Sequence, residues 1–225
     1  MQWEIEGDIY PLLRIDMDPG DSIKCDAGAM AWLSGDIRLQ TKMQGGIVKS
    51  ITRKMAGETF FRNVYTAYNP GSIAFATDYV GTIKPVEVRE GMGIVIQKSA
   101  LFVEDSNIIA KPFMTDVFTG LMGGEGFFLT ELRGNGIAFL EAVGRCYCYE
   151  LNPGQVMEIS TGNFFAMERS CKMTVRVNKG VKNILFGGEG FVNTVVTGPG
   201  RVWVQSGSLE RQVASIKNEL GFPKK

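Results

Sequence analysis

A short pattern recurs late in each third of the chain, and it limits the possible folds more than any other feature of the sequence. The pattern is Gly-Glu-Thr-Phe-Phe at 57–61, Gly-Glu-Gly-Phe-Phe at 124–128 and Gly-Glu-Gly-Phe-Val at 188–192. In every copy, a turn-forming stretch and an apolar run follow a few residues later. The copies are spaced by roughly 65 residues, which is longer than common solenoid repeats and within the size of a small β-sandwich.

The first half of each copy also recurs, which argues against a chance origin of the pattern. Asp-Pro-Gly at 18–20 precedes an apolar segment at 30–33, and Asn-Pro-Gly at 152–154 precedes one at 164–167. The middle copy is looser: Glu-Gly at 90–91 precedes an apolar segment at 101–103. Because both halves recur in the same order, we predict one compact domain over 1–225 that consists of three repeats. The predicted segments are repeats at about 8–86, 87–150 and 151–207, followed by a C-terminal helix at 208–221.

The repeats have the sequence character of strands. Short runs rich in β-branched residues, such as 93–96 and 173–177, are separated by Gly, Asn, Asp and Pro. The glycine-bounded segments at 134–136 and 198–200 predict hairpin turns. A phosphate-binding loop would need a helix after the glycines, and strand-like sequence follows them instead. We therefore predict an all-β fold of three pseudo-repeated β-sandwich units, similar to a double-stranded β-helix, with a short C-terminal helix.

The C-terminal helix is predicted from its apolar stripe and its end signals. Ser208 is a suitable N-cap, and Gly221 followed by Pro223 predicts the end of the helix. A second short helix is predicted at 49–55. Both helices are expected to cover sheet edges or ends. The stripe consists of Leu209, Val213, Ile216 and Leu220.

Charge and hydropathy exclude several classes of partner. Lys and Arg number 24 and Asp and Glu number 24, so the basic excess typical of nucleic-acid binders is absent and no nucleic acid is expected. The N-terminus lacks the features of a signal peptide, and no apolar run approaches the ~20 residues of a spanning helix. These observations predict a soluble, cytoplasmic protein. A local basic patch is an open alternative, and the interpretation we favour is an ordinary solvated face. The residues concerned are Arg53, Lys54, Lys179 and Lys182.

Two segments are similar to the signature of one poorly characterised family. Gly-Gly-Glu-Gly-Phe at 187–191 is followed by Thr-Gly-Pro-Gly-Arg-Val-Trp-Val-Gln-Ser at 197–206, and the region 45–61 also resembles the family. The family's eukaryotic branch is named for altered inheritance of mitochondria, and the match extends from about Gly7 to Gly207. The resemblance implies three units, each like the β-sandwich of the tryptophan RNA-binding attenuation protein. It implies no settled enzymatic activity, and we carry over neither RNA binding nor a mitochondrial role.

The chain contains no histidine, and this excludes many catalytic sites. Ser-His-Asp and Cys-His nucleophilic sites, histidine zinc sites and the histidine-based iron sites of double-stranded β-helix oxygenases are all ruled out. Chemistry that uses only paired carboxylates survives this exclusion. We therefore predict no enzyme, no catalytic residues, no metal and no cofactor.

The four cysteines lack the spacing of a metal site or a disulfide framework. Cys171 lies where the other copies place isoleucine, and Cys25 aligns close to Ile159, so both are expected in the core. Cys146 and Cys148 are expected on one face of a strand, about 6.6 Å apart along it. A buried or half-buried apolar role is favoured over a redox role for this pair.

One ionisable position recurs in all three copies, at Glu58, Glu125 and Glu189. If the copies pack around a pseudo-threefold axis, the three carboxylates converge on a cation or polar ligand. The alternative, which we favour, is that each carboxylate accepts hydrogen bonds from backbone amides of its own glycine turn.

Three functions remain open on the sequence alone. The favoured hypothesis is a non-enzymatic scaffold or interaction protein that forms homo-oligomers. The alternatives are a module that binds a small apolar or lipid-like ligand and, more weakly, a carboxylate-based hydrolase. The candidate contact surface of the scaffold is Phe113, Val117, Phe118, Leu121 and Met122. Core packing is the favoured interpretation for most of these residues.

Overall fold

The computed structural model of the chain describes residues 1–41, 62–113, 129–177 and 192–221. Within them, the strands fall into three successive sets of six, preceded by β1 (Gln2–Glu6). The first set is β2 (Leu12–Met17), β3 (Ser22–Asp26), β4 (Met30–Ser34), β5 (Ile37–Thr41), β6 (Arg62–Ala67) and β7 (Gly71–Ala76). The second set is β8 (Gly81–Val88), β9 (Ile94–Gln97), β10 (Leu101–Asp105), β11 (Ile109–Phe113), β12 (Leu129–Arg133) and β13 (Gly136–Val143). The third set is β14 (Cys146–Leu151), β15 (Val156–Ser160), β16 (Phe164–Glu168), β17 (Lys172–Val177), β18 (Val192–Thr197) and β19 (Gly200–Gln205).

Each set pairs its strands in the same order. The first, sixth and third strands are neighbours, as in β2-β7-β4, and the second, fifth and fourth are neighbours, as in β3-β6-β5. Every third strand also carries a β-bulge near its start, against the sixth strand of its set. A bulge and a pairing order that recur in all three sets confirm the predicted all-β fold of three repeats.

Successive repeats are joined by one further strand pair. The second strand of one repeat lies antiparallel to the third strand of the next, as β3 with β10 and β9 with β16. We call such a pair a joint. Each of these two joints lies in a six-stranded sheet, and the orders are β5-β6-β3-β10-β13-β8 and β11-β12-β9-β16-β19-β14.

Contacts between residues divide the chain into two compact units. Unit 1 comprises Met1–Glu87, Leu101–Ile108 and Asn135–Glu141, and unit 2 comprises the described parts of Val88–Ala100, Ile109–Gly134 and Ala142–Lys225. The middle repeat thus contributes strands to both units. The predicted single domain, its repeat boundaries and the likeness to the tryptophan RNA-binding attenuation protein stay predictions.

Each unit encloses a hydrophobic core between two sheets. In unit 1, residues of β2 and β7 such as Ile15 and Phe75 pack in one cluster with Cys25 and Val103 of the joined sheet. In unit 2, Phe164 and Val202 pack with residues of the three-stranded sheet β15-β18-β17. Apolar side chains on alternate residues of a strand point to one face, which explains why the period-two pattern of the sequence predicted these strands.

The predicted C-terminal helix is confirmed as α1 (Leu209–Glu219). The Ser208 hydroxyl accepts a hydrogen bond from the Arg211 backbone amide at 3.4 Å, and Gly221 follows the helix with a φ of +71°. Val213, Ile216 and Leu220 of the apolar stripe are exposed. The second predicted helix, at 49–55, lies outside the described residues. None of the helices in the described part of the chain has the length and apolar character needed to cross a bilayer.

Candidate functional site

Most of the site residues predicted from the sequence lie outside the described residues. This holds for Glu58, Glu125 and Glu189, so their convergence stays a prediction. It holds as well for the residues of the possible basic patch and for most of the predicted apolar contact surface. Phe113 of that surface is described: it is half-buried on β11, and the guanidinium carbon of Arg169 lies 5.2 Å from the centre of its ring.

Two of the four cysteines lie in the hydrophobic cores. Cys25 and Cys171 are buried, as predicted, and burial raises the pKa of Cys25 to about 12. Cys146 is half-buried and Cys148 is exposed on β14, so the expectation of an at least half-buried pair is wrong for Cys148. The reason is that neither face of β14 is covered here, because Tyr147, Cys148 and Tyr149 are all exposed although successive residues of a strand point to opposite faces. No disulfide joins the four residues.

Three charged residues, which the sequence analysis missed, are buried together at the β3–β10 joint of unit 1. Lys24 on β3, Arg62 on β6 and Glu104 on β10 expose 6%, 4% and 1% of their surface. Lys24 and Glu104 lie directly opposite each other across the joint, and Lys24 Nζ is 3.3 Å from Glu104 Oε1. Arg62 Nε is 3.7 Å from the same oxygen. We call these three residues the buried charge cluster.

Backbone and side-chain acceptors complete the surroundings of the two cations. Lys24 Nζ donates to the Ile108 carbonyl oxygen. Arg62 donates to the carbonyl oxygens of Leu101 and Phe102, both at 3.1 Å, and to Asp26 Oδ1 at 2.6 Å. Leu101 and Phe102 belong to the bulge of β10. A bulge leaves backbone groups unpaired, so Arg62 supplies the hydrogen bonds that the sheet does not.

At the second joint, the positions equivalent to Lys24, Glu104 and Arg62 carry apolar residues. There Val95 lies opposite Met167, and Leu129 starts the adjoining strand β12. All three side chains are buried in the core of unit 2. The two joints therefore share one backbone arrangement, and the buried charge cluster is peculiar to the first of them.

The environment of Glu104 disfavours a role in catalysis. Burial raises the pKa of its carboxyl group, while Arg62 and Lys24 act in the opposite direction. Glu104 Oε2 and Arg62 Nε have no hydrogen-bond partner among the described residues. A carboxylate that is enclosed by two cations and shielded from solvent has no access to a substrate. We interpret the cluster as favouring this strand pairing, because a different register would leave its buried charges uncompensated.

Glu141 is a second acidic residue with a perturbed pKa. Burial raises its pKa to about 7, although the backbone amide of Tyr79 donates to its Oε1 at 3.3 Å and lowers it in part. The neighbouring charges of Asp78 and Asp26 raise it further. Among the described residues, no group of three or more Cys, Asp or Glu residues is arranged to hold a metal ion. We therefore interpret Glu141 as a group that makes stability depend on pH.

The third feature is an exposed apolar strand. All five residues of β4 are exposed, and Met30, Trp32 and Leu33 expose 36%, 41% and 38% of their surface. The corresponding strands β10 and β16 of the other repeats each bury their first four residues. In the described part of the chain, β4 has β7 as its one hydrogen-bonded neighbour, whereas β10 and β16 are each paired on both sides.

Comparisons with known proteins agree with this fold. The family model for mitochondrial biogenesis AIM24 matches residues 3–207. An uncharacterized protein of Streptococcus pyogenes is 26% identical over 219 residues, which cover 94% of this chain and 87% of that protein. The X-ray crystal structure of protein SPYM3_0169 from Streptococcus pyogenes superimposes with a TM-score of 0.80 at 24% identity and covers 97% of this chain and 99% of that one. This structural likeness shows the fold, and the family match extends over most of the chain. The chain therefore belongs to the mitochondrial biogenesis AIM24 family.

Proposed function

We propose that this protein is a non-enzymatic scaffold that works by associating with other protein chains and that forms homo-oligomers. The observation that carries the proposal is the exposure of β4. A strand at the edge of a sheet offers unpaired backbone donors and acceptors, and natural proteins usually protect such edges with charges or proline. The segment Met30–Ser34 has neither. An apolar, unprotected edge is typical of an interaction surface.

The chemistry of the chain supports a role without catalysis. The absence of histidine leaves carboxylates as the main candidates for acid–base work. Glu104, which supplies the carboxylate of the buried charge cluster, is paired with Lys24 and Arg62. Its contacts stabilise the pairing of β3 with β10, so they are better explained by a structural role than by catalysis.

We also propose that the protein works in a reducing compartment such as the cytoplasm. Cys25 and Cys171 are thiols in the hydrophobic cores, and no disulfide joins any of the four cysteines. Proteins of oxidising compartments commonly use their cysteines as disulfides. Localisation of the tagged protein by fractionation tests this part of the proposal, and recovery in an oxidising compartment would contradict it.

The scaffold proposal is tested by measuring the mass of the purified protein in solution. Light scattering after size exclusion is carried out over a wide range of loading concentrations. We expect a mass that is a multiple of that of a single chain and that falls on dilution. A strict monomer at every concentration would refute the homo-oligomer.

A further inference from the structure

The two joints within the chain have the same register. At the first joint, Cys25 lies opposite Val103 and Ile23 opposite Asp105. At the second joint, Ile96 lies opposite Ala166 and Ile94 opposite Glu168. If the same pairing continued, the second strand of the third repeat would meet the third strand of a first repeat.

The bulges align the third strands of the repeats residue by residue. The residue that follows the bulge is Trp32 in β4, Val103 in β10 and Ala166 in β16. Leu33 then corresponds to Glu104, and Ser34 corresponds to Asp105.

Pairing with the fifth strand aligns the second strands in the same manner. Ile159 in β15 lies opposite Thr194, as Ile96 lies opposite Thr130 in β12. Ile159 thus corresponds to Ile96 and, in the first repeat, to Cys25.

Among the described residues, β4 and β15 each end a sheet, on the side where their counterparts form a joint. The fourth strands, β5, β11 and β17, also end sheets, but they do so in all three repeats. Within the described residues, a fourth strand that ends its sheet is therefore common to all three repeats. The edges of β4 and β15 are different, because the same edges are covered wherever the chain supplies a partner.

We propose that β15 of one copy pairs antiparallel with β4 of a second copy and forms a third joint. With the register of the two joints within the chain, Trp32 lies opposite Ile159, Leu33 opposite Glu158 and Ser34 opposite Met157. The inference rests on the proposed homo-oligomer and names the surfaces that form it. The contact is heterologous, because two different edges meet, so it produces a closed ring or a continuing chain of copies rather than a twofold dimer.

The residues at the two edges suit such a pair. Trp32 is exposed in the single chain and meets Ile159, which belongs to the hydrophobic core of unit 2. Val103 makes the equivalent contact when it packs with Cys25 in the core of unit 1. Val156, at the start of β15, exposes 55% of its surface, which the added strand would reduce.

A disulfide between two different variants tests the register. Ser34→Cys and Met157→Cys are prepared separately, both in a background where Cys146 and Cys148 are serine, and then mixed under mild oxidation. Directly opposite residues of antiparallel strands have Cα atoms about 4.5–5.5 Å apart, within the range that a disulfide spans. We expect a cross-linked dimer in the mixture and none with either variant alone. A mixture of Ser34→Cys with Glu158→Cys is the control, because a one-residue shift turns the side chain to the other face.

Two substitutions at Leu33 provide an independent test by light scattering. In the proposed joint, a glutamate at position 33 faces Glu158 of the neighbouring copy, and two negative charges meet. A lysine at position 33 faces the same carboxylate with the opposite charge, as Lys24 faces Glu104 in the first joint. We expect Leu33→Glu to weaken association by roughly thirtyfold, which is the loss of a typical interface hot spot, and Leu33→Lys to weaken it much less. Leu39→Glu is the matched control, since Leu39 is exposed on β5. This strand and its counterparts in the other repeats all end their sheets among the described residues, so β5 is not expected to form a joint.

The outcomes separate this inference from the proposed function. Oligomers that give no cross-link in the mixture, or that respond equally to both substitutions of Leu33, would overturn the third joint and leave the scaffold in place. A monomer would overturn both. A cross-link that forms only within one chain carrying Ser34→Cys and Met157→Cys together would show that β15 pairs with β4 of its own chain, which also overturns the inference.

Discussion

The buried charge cluster can be tested by converting the first joint into a copy of the second. In the second joint, Val95 and Met167 occupy the positions of Lys24 and Glu104. Replacing Glu104 with methionine alone leaves Lys24 and Arg62 buried without their shared carboxylate. We expect this variant to lose about 3–5 kcal/mol of stability, which is the usual cost of removing one member of a buried ion pair.

The double variant Lys24→Val, Glu104→Met is expected to be more stable than Glu104→Met alone. It removes the charge that the single variant leaves uncompensated, and Arg62 keeps its hydrogen bonds to Asp26 and to the bulge carbonyls. The remaining cost is the Ile108 carbonyl, which loses its bond from Lys24, and such a loss amounts to about 1–3 kcal/mol. Replacement of buried ion pairs by packed apolar residues is often neutral or stabilising.

The assay is a double-mutant cycle from urea unfolding of the parent protein, both single variants and the double variant. We expect a coupling energy of about 2 kcal/mol or more between positions 24 and 104, because both residues lie in one network. Additive losses in the double variant would refute it, since they would show that Lys24 and Glu104 stabilise the fold independently. The conservative variant Glu104→Gln controls for side-chain shape and should resemble Glu104→Met in its loss.

Two further predictions concern pH and backbone geometry. Since the pKa of Glu141 is raised from 4.5 to about 7, the folded state holds its proton more strongly than the unfolded state, and its contribution to stability is present below pH 4.5 and lost as pH rises through 7. Glu141→Gln should therefore unfold at the same urea concentration as the parent near pH 4 and be more stable than it at pH 8; a difference that does not change with pH would contradict this. Gly35 and Gly20 both have positive φ, but a Cβ at Gly35 would lie 2.7 Å from Gly71 Cα, and one at Gly20 would meet nothing within 4 Å. Gly20→Ala should cost only the backbone strain of roughly 1–2 kcal/mol, whereas Gly35→Ala adds a steric clash to that strain. Gly35→Ala should therefore lower the thermal midpoint clearly more than Gly20→Ala, and equal losses would contradict the steric argument.

The sequence predicted the features that depend on neighbouring residues. The alternation of apolar residues in 173–177 and the glycine turn at 134–136 correspond to β17 and to the β12–β13 hairpin. The helix over Leu209–Glu219 was predicted from its cap and its apolar stripe. These signals extend over a few residues, so a single sequence contains them in full.

The buried charge cluster was missed because each of its members resembles an exposed residue of a half-buried strand. Lys24 lies between Ile23 and Cys25, as a solvent-facing lysine would in an alternating pattern. Aligning the repeats would have shown lysine and glutamate at positions where the next repeat has Val95 and Met167. That signal has meaning only when it is known that the second strand of one repeat meets the third strand of the next.

The number of repeats, the strand-rich fold and the family could all be predicted from the amino-acid sequence, because internal repetition, period-two patterns and family motifs can be recognised in the sequence alone. Which strands of successive repeats form joints became visible in the three-dimensional fold, and with it the burial of charges between β3 and β10 and the exposure of β4. Strand pairing is a contact between segments that lie far apart in the sequence. Backbone hydrogen bonds are alike at every residue, so the choice of partner and register depends on how the side chains of both strands pack once they meet.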